Sequence, residues 1–164
     1  MDIVSAIQES CDVFFYNLSI KVGIDRIAEV AKDFGLGQTY NVKLLNQKEG
    51  IIPNKKWKKN TYKESWYGGE TLNAAIGQGY VLTSPLQLAI MTARIASGGK
   101  KINPSILKIS KKTSFNNMNK YAESLKIIKE AMFKVVNESK GTAINSKASN
   151  FNFSGKTGTS QVKK

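Results

Sequence analysis

Along most of this chain apolar residues recur at steps of three and four, the spacing of one helix face, and only one short run near the end alternates as a strand does. Ile3, Ala6, Ile7, Cys11, Phe14, Phe15 and Leu18 carry the first pattern. Ser10 and Asp12 interrupt it, which predicts a helix–turn–helix break. Asp25 to Phe34 forms a second amphipathic segment, closing at Gly35-Leu36-Gly37, where glycine takes the left-handed conformation that ends a helix. Thr83-Ser84-Pro85 places a hydroxyl cap before a first-turn proline, and Leu86 to Ala96 continues that helix to Gly98-Gly99. Leu125, Ile128, Met132, Val135 and Val136 make a further stripe that stops at Gly141. Phe151-Asn152-Phe153 alternates into Ser154-Gly155-Lys156-Thr157-Gly158-Thr159-Ser160. A lone strand cannot satisfy its own ladder, so this ending implies missing partners or pairing with another chain.

Between these segments the patterns weaken. Residues 41 to 65 hold seven lysines around Pro53 and read as an exposed loop. Ile102 to Ile109 reads as a strand or extended arm, and Lys111 to Asn119 as a polar turn. The 164 residues suit one globular domain or one piece of one, with no repeat and no linker to mark a boundary.

The balance of 25 Lys plus Arg against 12 Asp plus Glu gives +13, which raises a nucleic-acid or anionic-membrane module as one reading. Arg26 and Arg94 are the only arginines, however, and phosphate recognition leans on the bidentate guanidinium with interleaved aromatics. The absence of histidine removes Ser-His-Asp and Cys-His catalysis and every His-containing metal site. Cys11, the single cysteine, excludes an intrachain disulfide. No secretory leader and no run near the ~20 apolar residues of a membrane span is visible.

Lys156-Thr157-Gly158-Thr159 combines a cation, two hydroxyls and a glycine that lets another backbone come close, a set suited to a carboxylate-ended peptide. Alone, such a string arises by chance in a lysine-rich chain. Its context is Ser10-Cys11-Asp12, 146 residues earlier. Ser-x-Asn or Ser-x-Asp followed by Lys-Thr-Gly is the order of the second and third signatures of penicillin-binding proteins and serine β-lactamases. Between them stand Tyr67-Gly68-Gly69-Glu70-Thr71, Ala75-Ile76-Gly77-Gln78-Gly79-Tyr80, Thr83-Ser84-Pro85-Leu86-Gln87-Leu88-Ala89 and Gly141-Thr142-Ala143. With these the chain resembles, over nearly its whole length, the class B penicillin-binding proteins of the elongation type, the penicillin-binding protein 2 subfamily.

That resemblance implies an α+β transpeptidase fold and a serine acyltransferase that attacks the D-Ala-D-Ala end of a peptidoglycan stem peptide. β-Lactams would acylate the same serine. Ser10 would relay a proton, and Lys156 would lend positive charge to that relay and to the substrate carboxylate. Thr157 and Thr159, around Gly158, would bind that carboxylate, and the Thr159 N–H would be one of two oxyanion donors, whose loss in hydrolases costs about 10²–10³ in rate. Asp12 replaces the commoner Asn, as it does in elongation-type members, and also reads as a helix N-cap ahead of Val13. The resemblance further implies no cofactor, a membrane glycan polymerase as partner, and a membrane-anchored protein with this domain in the periplasm.

The family's first signature, Ser-x-x-Lys, should precede Ser10 by several tens of residues, so residues 1–164 read as a partial transpeptidase domain without the nucleophile half or the later strands. Ser97-Gly98-Gly99-Lys100, Ser105-Ile106-Leu107-Lys108 and Ser160-Gln161-Val162-Lys163 fit the bare pattern. The chemistry needs serine and lysine one helical turn apart. Ser97 falls at a helix terminus and the other two in extended segments, so all three are decoys. By itself the chain is expected to perform no acyl transfer; non-covalent capture of peptides or β-lactams is the alternative.

Overall fold

A computed structural model describes residues 1–42, 46–106 and 114–159. Seven α-helices lie among them: α1 (Ile3–Gln8), α2 (Asp12–Val22), α3 (Ile24–Asp33), α4 (Lys55–Tyr62), α5 (Gly68–Ala75), α6 (Pro85–Ala96) and α7 (Ala122–Asn137). The break foreseen at Ser10 separates α1 from α2. Ser84 caps α6 by accepting the Gln87 N–H at 3.3 Å. Helix α1 lies against α7, α2 against α5 and α3, and α6 touches α7. Ala6, Ala131, Val135 and Val136 are fully buried; the two alanines let α1 and α7 approach closely, and each buried valine contributes about 1.5–3 kcal/mol relative to exposure.

Two long polar side chains of α6 organise the middle of the chain. The buried Arg94 guanidinium donates to Asp33 O at 2.8 Å and to Ile102 O at 3.1 and 3.2 Å. Its charge sits at the C-terminus of α3, where unpaired carbonyls and the helix dipole favour a cation. Buried Gln87 donates to Gln38 O and Glu49 O at 2.8 and 2.9 Å and accepts the Gly37 N–H at 3.2 Å. These bonds fix Gly37, Gln38 and Glu49 on α6, next to an isolated bridge between Ile51 and Leu82.

The lysine-rich stretch departs from its expected form. Lys55–Tyr62 is a helix, capped by Asn54 Oδ1 on the Trp57 N–H at 2.7 Å. Trp57 packs on Tyr62 and Tyr80 with ring centroids 5.7 and 5.2 Å away. Lys58, far from being solvated, is 1% exposed. It is held by Glu70, by Glu64 at 3.6 Å and by the Tyr67 ring 4.3 Å below it. Desolvation opposes the Lys58 charge, but the hydrogen bond and Coulomb attraction of Glu70 outweigh it and raise the lysine pKa above its ordinary value.

The strand expected at Phe151-Asn152-Phe153 also takes another form. Among the described residues no ladder strand is present, and the segment to Thr159 is irregular. A strand exists only through a hydrogen-bonded neighbour, and here the segment is instead tied to α7 by Gly155 N–H on Met132 O at 3.1 Å and Asn137 Nδ2 on Phe153 O at 2.9 Å. Just before the expected arm, Lys100 bridges Asn117; the arm's later part, residues 107–109, the first residues of the expected polar turn, 111–113, and Ser160-Gln161-Val162-Lys163 lie outside the described residues.

Candidate active site

Ser10 stands at the turn between α1 and α2. The turn closes α1 with two crossing bonds, Ser10 N–H to Ile7 O at 3.3 Å and Cys11 N–H to Ala6 O at 2.9 Å. This motif needs a left-handed residue at the position Ser10 fills, usually glycine. Ser10 takes it with φ of 53°, a strained conformation for a residue with a Cβ. Asp12 is not the N-cap expected ahead of Val13: Cys11 takes that position, and the same turn makes Asp12 the first residue of α2, where the helix N-terminus favours a carboxylate.

Helix α7 and its exit deliver the opposite side. Gly155 and Phe153, bonded to α7, hold the segment that carries Lys156. The Lys156 ammonium donates to Ser10 Oγ at 2.5 Å and to Thr157 O and Oγ1, both at 3.2 Å. Partial desolvation of that ammonium lowers its pKa, and the negative charge of Asp12 works in the opposite direction. Ser10, Lys156 and Thr157 are thus brought into one cluster. Asp12 acts on it through charge. Thr159 is exposed, and its N–H makes no backbone hydrogen bond among the described residues; an added Cβ at Gly158 would meet nothing within 4 Å, so the motif's tip is open.

Thr142 joins this cluster although its residue type gave no sign of it. Its Oγ1 lies 3.2 Å from Ser10 Oγ and 3.0 Å from Thr157 Oγ1. Its N–H donates to Gln8 O at 3.2 Å, at the end of α1. Gly141 makes that approach possible: a Cβ there would lie 2.2 Å from Val135 O and 2.5 Å from Lys134 O. The available signal was Gly141-Thr142-Ala143, one of the strings that carry the family resemblance.

Ser97 is no rival nucleophile. It caps the end of α6, with Oγ donating to Arg94 O at 3.1 Å and accepting the Lys100 N–H at 3.2 Å, so the lysine's main chain and not its amine meets the serine. Ser105 lies outside any helix.

Residues 1–164 match the family profile described as the penicillin binding protein transpeptidase domain. The chain is 36% identical over 171 residues to the peptidoglycan D,D-transpeptidase MrdA of Acinetobacter baumannii, an alignment covering 96% of this chain and 25% of that protein. It superimposes with a TM-score of 0.91 and 34% identity on the penicillin-binding protein PBP2 from Helicobacter pylori, seen there in complex with MreC, over 99% of this chain and 31% of that one. PBP2 of Pseudomonas aeruginosa, in complex with WCK 5153, gives 0.90 and 34%, covering 99% of this chain and 39% of that one. The chain therefore spans about a quarter of the length of the curated relative it matches. With profile, sequence and fold in agreement around a turn that sets Ser10 against Lys156, the chain belongs to the penicillin-binding protein transpeptidase domain family.

Proposed function

We propose that residues 1–164 are part of a peptidoglycan D,D-transpeptidase domain and supply the proton-relay and carboxylate-binding half of its acyl-transfer site. The observation that carries this is the Lys156–Ser10 hydrogen bond across 146 residues, framed by Thr157. A serine of a Ser-x-x-Lys element outside these residues attacks the D-Ala-D-Ala carbonyl carbon. That serine's proton passes to the lysine of the same element; as the peptide C–N bond breaks, the departing D-alanine nitrogen takes the Ser10 hydroxyl proton, and the Ser10 oxygen, stabilised meanwhile by Lys156, is reprotonated from that lysine. Thr157 and Thr159 hold the terminal carboxylate, and the exposed Thr159 N–H faces the developing oxyanion. A neighbouring stem-peptide amine then takes the acyl group and releases the serine.

The motif segment is, in this reading, a strand of an α+β sheet completed from outside residues 1–164. Exposed apolar side chains support this: Val13 and Ile20 on α2 are 64% and 66% exposed, and Phe151 at the start of the motif segment is 65% exposed. No described helix is long and apolar enough to cross a membrane; a periplasmic domain on a membrane-anchored protein, working beside a glycan polymerase and a partner of the MreC kind, follows from the family. Fluorescent penicillin tests the reading. Residues 1–164 alone should take no covalent label on a denaturing gel. A polypeptide joining them to a Ser-x-x-Lys element should be labelled, and Lys156→Ala should abolish that labelling. A label mapped to any serine of residues 1–164 overturns it.

A further inference from the structure

Three hydroxyls close a triangle beneath the Lys156 ammonium. Ser10 Oγ is 3.2 Å from Thr142 Oγ1 and 3.3 Å from Thr157 Oγ1, and the two threonine oxygens are 3.0 Å apart. Each hydroxyl has one proton to give and two lone pairs to fill. A serine that passes its proton to a leaving group must keep that proton out of the triangle, which requires donors on both of its lone pairs. Lys156 fills one. Among the described residues, the hydroxyls within reach that can be the second donor are those of Thr142 and Thr157.

Thr157 is already engaged: its Oγ1 accepts from Lys156 at 3.2 Å, and in the reading above its proton goes to the substrate carboxylate. Thr142 has no such duty. Its position is fixed from both sides, by the N–H bond to Gln8 O at 3.2 Å and by the Gly141 turn packed on the Val135 and Lys134 carbonyls. We infer that Thr142 is a positioning residue whose hydroxyl donates to Ser10 Oγ, so that the Ser10 proton points to the leaving group and not back into the cluster. This rests on the transpeptidase reading of Ser10 and adds a residue to it. Without the Thr142 proton, Ser10 rotates to donate to Thr157 Oγ1, and the proton is misdirected while substrate still binds.

The test is the acylation of the full polypeptide carrying its Ser-x-x-Lys element by fluorescent penicillin, measured across concentration and pH for the parent, Thr142→Val and Thr142→Ser. Thr142→Val should lower the acylation rate constant at saturation about 10- to 100-fold while changing the half-saturating concentration less than threefold. Thr142→Ser, which keeps the donor, should stay within about threefold of the parent. Near-UV circular dichroism establishes that each variant is folded, and Thr142→Ala takes the place of the valine variant if that one is not. Parent-like saturating rates in the folded valine or alanine variant, or a serine variant no better than valine, overturn the Thr142 assignment alone. An unlabelled parent overturns the transpeptidase reading itself.

Discussion

Helices α1, α3, α5 and α6 end in the same way, with two crossing backbone bonds around one left-handed residue, but they do not spend the same residue there. The N–H groups of Gly35, Gly77 and Gly98 bond to the carbonyls of Lys32, Ala74 and Ile95 at 3.0–3.1 Å, and φ at the three glycines is 101°, 77° and 73°. At the end of α1 the position belongs to Ser10, with φ of 53° and a longer 3.3 Å bond. Glycine adopts this conformation freely, whereas a residue with a Cβ gives up about 1–2 kcal/mol. The corner that accepts that cost is the one whose side chain meets Lys156, Thr142 and Thr157. Lys63 also closes α4 left-handed, with φ of 61°, so it is the strain at Ser10 together with its hydroxyl's contacts that fits a position kept for that hydroxyl.

Replacing that hydroxyl separates its two contributions. Ser10→Ala and Ser10→Gly both remove the proton donor, so both should lower penicillin acylation of the full polypeptide by about 10²–10⁴. They differ only in backbone freedom. Ser10→Gly should therefore be more stable than Ser10→Ala by about 1 kcal/mol in urea unfolding. Equal stabilities would mean that the turn relaxes and that Ser10 carries no strain.

The glycine corners should show the reverse balance, large stability effects with no direct part in the chemistry. At Gly35 an added Cβ would lie 2.5 Å from Tyr40 Oη and 2.9 Å from Ile90 Cγ2, and the Tyr40 hydroxyl already donates to Gly35 O at 2.7 Å. Backbone strain and crowding together should make Gly35→Ala cost about 3 kcal/mol. Gly98 has an equally left-handed backbone but nothing within 4 Å of a Cβ. Gly98→Ala should cost only about 1 kcal/mol. Denaturation midpoints of the two variants check this, and a Gly98 variant as damaged as the Gly35 one would show that strain, not crowding, dominates.

These corners also show what was legible in the sequence. Three of them carry glycine after an apolar stripe, and the ends of α3 and α6 were readable for that reason; the break after α1 was readable from Ser10 and Asp12. Helix α4 was hidden because the lysines around Trp57 and Tyr62 suggested a solvated loop. What makes it a helix is the Asn54 cap and a partner for Lys58 that lies on α5, a tertiary fact. Helix α5 was hidden because it begins with Gly68 and Gly69, poor helix formers; its start is secured by Glu70 Oε2 accepting the Tyr67 N–H at 2.8 Å. In the site, the order of the motifs pointed to Ser10 and Lys156, yet no local pattern says that a threonine such as Thr142 will stand 3.2 Å from a serine far away. The strand expected at Phe151-Asn152-Phe153 rested on alternation alone, and the segment instead follows an irregular path tied to α7.

The last difference between the corners is electrostatic and subtler. The Ser10 turn leads directly into Asp12, whose charge supports a Lys156 ammonium already weakened by desolvation. Because the folded-state pKa lies below the ordinary lysine value of 10.5, the unfolded chain binds more protons than the native one between the two values, and this group's contribution to stability rises with pH across that window. Asp12→Asn removes the opposing charge and should move the Lys156 pKa further down. The window then widens on its acid side, and the alkaline fall of acylation in the full polypeptide begins at lower pH. Global unfolding mixes this with Lys58 and Lys120, whose pKa values are raised by their carboxylate partners against desolvation, so the check is residue-specific: the Lys156 Cε resonance followed by NMR. A midpoint that stays in place when Asp12 becomes Asn would mean that the carboxylate serves the first turn of α2 alone.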